Sequence, residues 1–171
     1  MRKIILLSFT LLVPLTSCDK KERNSMNNLT ILFEYYKCIK IDFKTQTIEA
    51  YYRDLSYKDT ILFTKNDLLK LNQAISQNKI DKLKGQYSYP ECNWLMPSFE
   101  DKITVFKDGK IINSLEINYA PNCADDKKPG DVENRNRTFG IEVRNLILKK
   151  PSFKRALDSL KVFTSKRKGI V

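Results

Sequence analysis

The chain has 171 residues, with 31 Lys or Arg against 20 Asp or Glu, a formal charge of +11, four cysteines and no histidine. Without histidine there can be no Ser-His-Asp or Cys-His nucleophile pair and no His-containing zinc site. The length suits one ordinary domain with a sizeable core, and no repeat or heptad run divides it.

Arg2 and Lys3 precede the apolar run Ile4 to Leu15, which is shorter than the roughly 20 residues a membrane-spanning helix needs. A basic start, an apolar middle and small residues at the end predict a secretory signal peptide over residues 1–17. Leu15-Thr16-Ser17-Cys18 resembles the lipobox of bacterial lipoproteins: a branched residue, two small residues and a cysteine. The resemblance covers these residues only. It implies that the Cys18 thiol receives a diacylglycerol, that cleavage occurs before it, and that the protein is anchored in the bacterial cell envelope. It leaves inner and outer membrane open. Two or more acyl chains, at about 0.8 kcal/mol per buried methylene, hold a protein durably where one holds it marginally.

Residues 18–28 then form the lipidated cysteine and a polar tether, whose ten residues after the cysteine reach about 35 Å at full stretch and about 17 Å on average. A single domain is expected over 29–163. Ile39, Ile41 and Phe43 alternate with polar residues, and Ile48, Ala50 and Tyr52 repeat the pattern after a short polar connection, which predicts a hairpin. A third strand is expected at Asp59–Phe63. Thr64 and Asp67 resemble a capping box ahead of a helix with Leu68, Leu71 and Ile75 on one face. Asp108-Gly109 between two strand-like runs marks a second hairpin with a type I′ turn. Residues 122–136 read as an acidic, asparagine-rich loop, followed by a helix or a strand leading into one. Ser152 to Phe163 reads as an amphipathic helix with Phe153, Leu157, Leu160 and Phe163 on one stripe. The order βββ-α-ββ-α predicts an α+β fold: an antiparallel sheet of about five strands, in two hairpins, with helices packed on one face.

Four features bear on chemistry. Tyr87, Tyr89 and Trp94 gather beside two prolines; they can form a recognition surface, or Trp94 can pack over a neighbouring disulfide and close the core. Arg135 and Arg137 could present a basic fork to the same partner, or simply lead into the next element. Glu91, Glu100, Asp101 and Glu116 would be the acids of an envelope hydrolase working through paired carboxylates, the alternative to a non-catalytic binding module. Asp125, Asp126, Asp131 and Glu133 lack calcium-loop spacing and are interrupted by Lys127 and Lys128, so neither a metal nor any other cofactor is assigned.

Leaving Cys18 aside, three cysteines remain, and at most one pair can form among them. Cys92 and Cys123 flank the second hairpin almost symmetrically, which predicts a Cys92–Cys123 disulfide and a free Cys38. Residues 149–171 hold eight of the basic residues and a single acid, Asp158. Within them, Lys166, Arg167 and Lys168 are expected on a basic tail, 164–171, facing the membrane. A basic chain ordinarily suggests nucleic acid, but an exported lipoprotein more plausibly meets anionic head groups, an envelope protein or another polyanion. An immunity or inhibitor lipoprotein is one such binding module, by analogy of size and location.

Overall fold

The computed structural model describes residues 29–88, 100–118 and 130–168 of the chain. Within them the elements are β1 (Leu29–Tyr35), β2 (Ile39–Asp42), β3 (Thr47–Tyr52), β4 (Leu55–Thr60), α1 (Lys65–Gln77), a 3-10 turn (Ile80–Lys82), β5 (Gly85–Ser88), β6 (Glu100–Lys107), β7 (Lys110–Asn118), α2 (Asp131–Leu148) and α3 (Pro151–Lys168). They form one sheet in the order β4-β3-β2-β1-β6-β7-β5. Every neighbouring pair is antiparallel except β5, which runs parallel to β7.

The fold is therefore α+β as expected, but the sheet has seven strands instead of about five and is mixed. Two strands account for the difference. The strand expected from Ile39, Ile41 and Phe43 is β2; β1, which the sequence does not assign, precedes it and is set off by a turn in which Tyr36 and Lys37 both take left-handed φ, 47° and 56°. The Cys38 amide closes that turn on the Tyr35 carbonyl at 3.0 Å. Neither residue is glycine, asparagine or aspartate, so the turn carries no sequence signature. β5 is four residues long and presents only Tyr87 inward, too little for a periodicity to register.

Other turns follow their local chemistry. Asp42 Oδ1 accepts the amides of Lys44 (2.7 Å) and Thr45 (3.1 Å), turning β2 into β3. Asp108 and Gly109 take φ of 51° and 76°, as a type I′ turn requires. Thr64 caps α1: its hydroxyl accepts the Asp67 amide at 3.2 Å, and Asp67 Oδ2 accepts the Thr64 amide at 2.8 Å. The strand expected at Asp59–Phe63 lies earlier, at Leu55–Thr60, while Ile61 and Phe63 are buried in the link to α1.

Period-two alternation gives the sheet two unlike faces. One carries Phe33, Ile41, Ile48, Ile103 and Leu115, all fully buried beneath the helices. α2 buries Asn136, Phe139, Gly140, Val143 and Ile147 at helical spacing. It begins at Asp131, so the last part of the expected loop is helical. α3 starts on Pro151, whose fixed φ suits the first helical position, and buries Phe153 and Ala156. It runs on to Lys168, so the backbone of the stretch expected as a tail is helical as far as Lys168. Two buried amides tie the layers together. Asn113 donates to the Ile80 carbonyl at 2.9 Å, and Asn78 donates to Glu142 at 3.2 Å. Across the opposite face no described helix packs.

Candidate functional site

The densest polar cluster sits at the end of the sheet where β1 stops and β6 begins. Register pairs Tyr35 with Asp101 across β1 and β6, and Asp101 points to the helix-covered face with no exposed surface. Arg144 of α2 reaches down to it, with Nη1 donating to Asp101 Oδ2 at 2.9 Å. The other arm, Nη2, donates to the Tyr36 hydroxyl at 2.8 Å and lies 3.5 Å from that of Tyr35. The guanidinium also stands over both rings, 4.9 Å from the Tyr35 centroid and 5.1 Å from that of Tyr36. Asp101 Oδ1 accepts the Tyr36 amide at 3.3 Å, which fixes the strained turn from inside. Phe153 closes the far side, edge-on to Tyr35 at 5.1 Å.

Burial sets the electrostatics here. The Tyr35 phenol is pushed up to about 12, first by burial, then by Tyr36. Burial opposes the Arg144 cation, yet its bonds and proximity to Tyr36, Asp101 and Tyr35 hold its pKa above the ordinary value. The Cys38 thiol, half-buried and donating to the Tyr35 carbonyl at 3.4 Å, is raised by burial and then by Asp101.

Of the acids singled out in the sequence, the three among the described residues do not converge. Glu100 and Asp101 are consecutive on β6 and so point to opposite faces. Glu100 meets Lys37 at 3.4 Å and Asp101 meets Arg144, while Glu116 meets Lys102 at 3.6 Å. Glu91 lies outside the described residues. Of the expected recognition surface, Tyr87 is half-buried on β5 with its hydroxyl on the Lys84 carbonyl at 3.1 Å; Tyr89 and Trp94 lie outside the described residues. Arg135 and Arg137 do not make a fork. Two residues apart on α2, they point in different directions, and each turns back to an acid one helical turn earlier: Asp131 at 3.3 Å and Glu133 at 3.3 Å. Cys18, Cys92 and Cys123 are also outside the described residues, as are the side chains of Lys166, Arg167 and Lys168.

Among the described residues, concavities open to solvent at two places. One, of about 700 Å³, lies where β2 has ended at Asp42 while β1 continues to Leu29, and Leu32, Phe43, Leu71 and Phe106 line it. The other is a groove of about 390 Å³ between α1 and α2, lined by Lys70, Gln73, Gln77, Glu142, Asn145 and Lys149. At its rim Lys150 Nζ holds Asp67 Oδ2 at 2.6 Å. That contact is the first cause of an Asp67 carboxyl lowered to about 2, followed by the Thr64 hydroxyl. On β4, Arg155 and then the Tyr57 hydroxyl hold Asp59 below the usual carboxylate range. Arg144, Tyr35 and Tyr36 escaped the sequence reading. The one available signal was the Tyr35-Tyr36 doublet ahead of Lys37.

Comparison of the chain with protein-family models, with curated proteins and with solved structures returns no match.

Proposed function

We propose that this chain is a lipid-anchored protein of the bacterial cell envelope that works by binding an acidic partner, as a protein or polyanion, and not by catalysis. The lipobox at Cys18 supports the anchor. The observation that carries binding over a carboxylate hydrolase is the state of the acids. A general acid of that chemistry needs a carboxyl raised toward neutrality. Here Glu100, Asp101 and Glu116 each meet a basic side chain instead of one another, and the carboxyls of Asp59 and Asp67 are shifted downward under basic partners. The α1–α2 groove supplies a foothold for an acidic surface, because Lys70 and Lys149 line it and neither has an acid partner among the described residues. An immunity or inhibitor lipoprotein is the specific form this reading takes.

Two experiments test it. Clickable palmitate should label the wild type and not Cys18→Ser; label retained by the variant sinks the anchor. Capture from intact envelopes with the lipidated protein should recover a partner that is lost with Lys70→Glu/Lys149→Glu. Unchanged capture by that variant removes the groove from the proposal. The C-terminal cations belong to the same reading: each contributes about 1 kcal/mol near an anionic leaflet. Changing Lys166, Arg167 and Lys168 to Gln should weaken binding of the Cys18→Ser form to anionic vesicles and leave its thermal midpoint in place.

A further inference from the structure

The sheet face that no described helix covers carries a row of alternating charge. Reading across strands at one level, register places Lys58 beside Glu49, Glu49 beside Lys40, and Lys40 beside Glu34. It continues with Glu34 beside Lys102 and Lys102 beside Glu116. The signs run plus, minus, plus, minus, plus, minus from β4 to β7. Among the described residues only Lys102 and Glu116 close an ion pair within the chain, at 3.6 Å. Lys58 and Lys40 are exposed and Glu49 and Glu34 are partly buried, and none of the four has an ion-pair partner among those residues.

An alternating row with an even number of members is complementary to its own reversal. A two-fold axis parallel to the strands, passing between β2 and β1, reverses the row and lays one copy on the other. Lys58 then faces Glu116 of the second copy, Glu49 faces Lys102, and Lys40 faces Glu34, each contact occurring twice. The perpendicular in-plane axis would instead set every charge on its own like and is excluded by repulsion. At the adjacent level Thr104 and Ser114 are already buried within the chain, so the contact is carried by the charged row. Strand directions stay aligned, as face-to-face sheets prefer.

From this self-complementarity we infer that the open sheet face is a homodimer interface whose occupant is a second copy of the chain. Six strands about 4.8 Å apart span roughly 24 Å, so the face offers at most roughly 400 Å² per copy, about 800 Å² in total and below the roughly 1,000 Å² of a stable specific interface. Such a dimer is weak and salt-sensitive, and confinement of both copies to one surface raises its occupancy.

The test uses residues 18–171 with Cys18→Ser, which keep every described element, at up to about 300 µM in low salt, a range suited to a small interface. Sedimentation velocity should show a monomer–dimer equilibrium that weakens at least tenfold between about 50 and about 500 mM salt. Lys40→Glu alone sets Glu against Glu twice across the axis, and Glu34→Lys alone sets Lys against Lys twice. Each variant should dimerise at least tenfold more weakly than wild type. Mixed together they restore both contacts, so native mass spectrometry should find the heterodimer in excess over either homodimer. Mixing cannot repair a fold, so this readout is blind to any damage the swaps do within one chain. A monomeric wild type, or a mixture with no preference for the heterodimer, overturns the inference and leaves the row as a device for strand register alone.

Discussion

Arg144 and Asp101, 43 residues apart in sequence, meet at 2.9 Å beneath the helices, and the carboxylate has no exposed surface. The pair does more than neutralise itself. Through its second oxygen Asp101 holds the Tyr36 amide, and through its second arm Arg144 holds the Tyr36 hydroxyl. A turn with two side-chain-bearing residues at positive φ is thus clamped at both backbone and ring.

Removing one partner leaves a buried charge unmatched. Arg144→Ala should therefore cost about 3–5 kcal/mol in urea unfolding. Arg144→Lys should recover only part of that, since an ammonium cannot bond Asp101 and Tyr36 through one planar fork. Replacing both partners with leucine should cost less than the two single changes combined. A loss below about 1 kcal/mol for Arg144→Ala would reduce the pair to a surface contact.

The raised Tyr35 pKa has an alkaline consequence. The unfolded phenol ionises near 10, whereas in the folded protein it waits until about 12. Between those values the unfolded state has released a proton that the folded state keeps, so stability is full below pH 10 and falls as pH rises through 12. Tyrosinate absorbance in the folded protein should show a late component near pH 12. Tyr35→Phe should abolish it; its survival would reassign the group.

Asp67 acts at the other end of the scale. Its folded carboxyl is lowered to about 2 by Lys150 and Thr64, below the ordinary 3.8. Its contribution is present above the unfolded value and is lost as pH falls from about 4 through about 2. Asp67→Asn should flatten the fall in thermal midpoint across that window. The Thr64 hydroxyl should still cap α1, since it accepts the backbone amide of residue 67. An unchanged acid limb would place the titrating group elsewhere.

Cys38 is half-buried with its thiol raised, so it should alkylate more slowly than a free thiol in solution. Glu100 and Asn118, where the segments carrying Cys92 and Cys123 leave the sheet, are register partners on β6 and β7. Peptide mapping without reduction should find Cys92 linked to Cys123, a loop worth about 3–4 kcal/mol. A disulfide containing Cys38 would reverse the assignment.

What could be read from the sequence was what local chemistry decides. Thr64 with Asp67, and Asp108 with Gly109, satisfy their own backbones, so their signatures survive without tertiary help. The turn at Tyr36 is decided by Asp101 and Arg144, on two other elements, and the sequence assigns no strand to β1 ahead of it. The start of α2 was hidden for a related reason: Asp131 and Glu133 suit a helix N-terminus as well as a loop, and only packing of Phe139 and Val143 settles which. The polar cluster itself is spread over β1, β6, α2 and α3, where no sequence window spans it.

β1 opens the described chain yet lies in the middle of the sheet, flanked by β2 and β6. Its first neighbour is four residues away, but its second begins at Glu100. A nascent chain can therefore assemble β1 to β4 early and must then hold one side of Phe33 and Ile31 open until β6 arrives. Long-range closure of this kind is slow and leaves a sticky half-sheet while it waits. Release of the whole chain before β1 is enclosed shortens that interval.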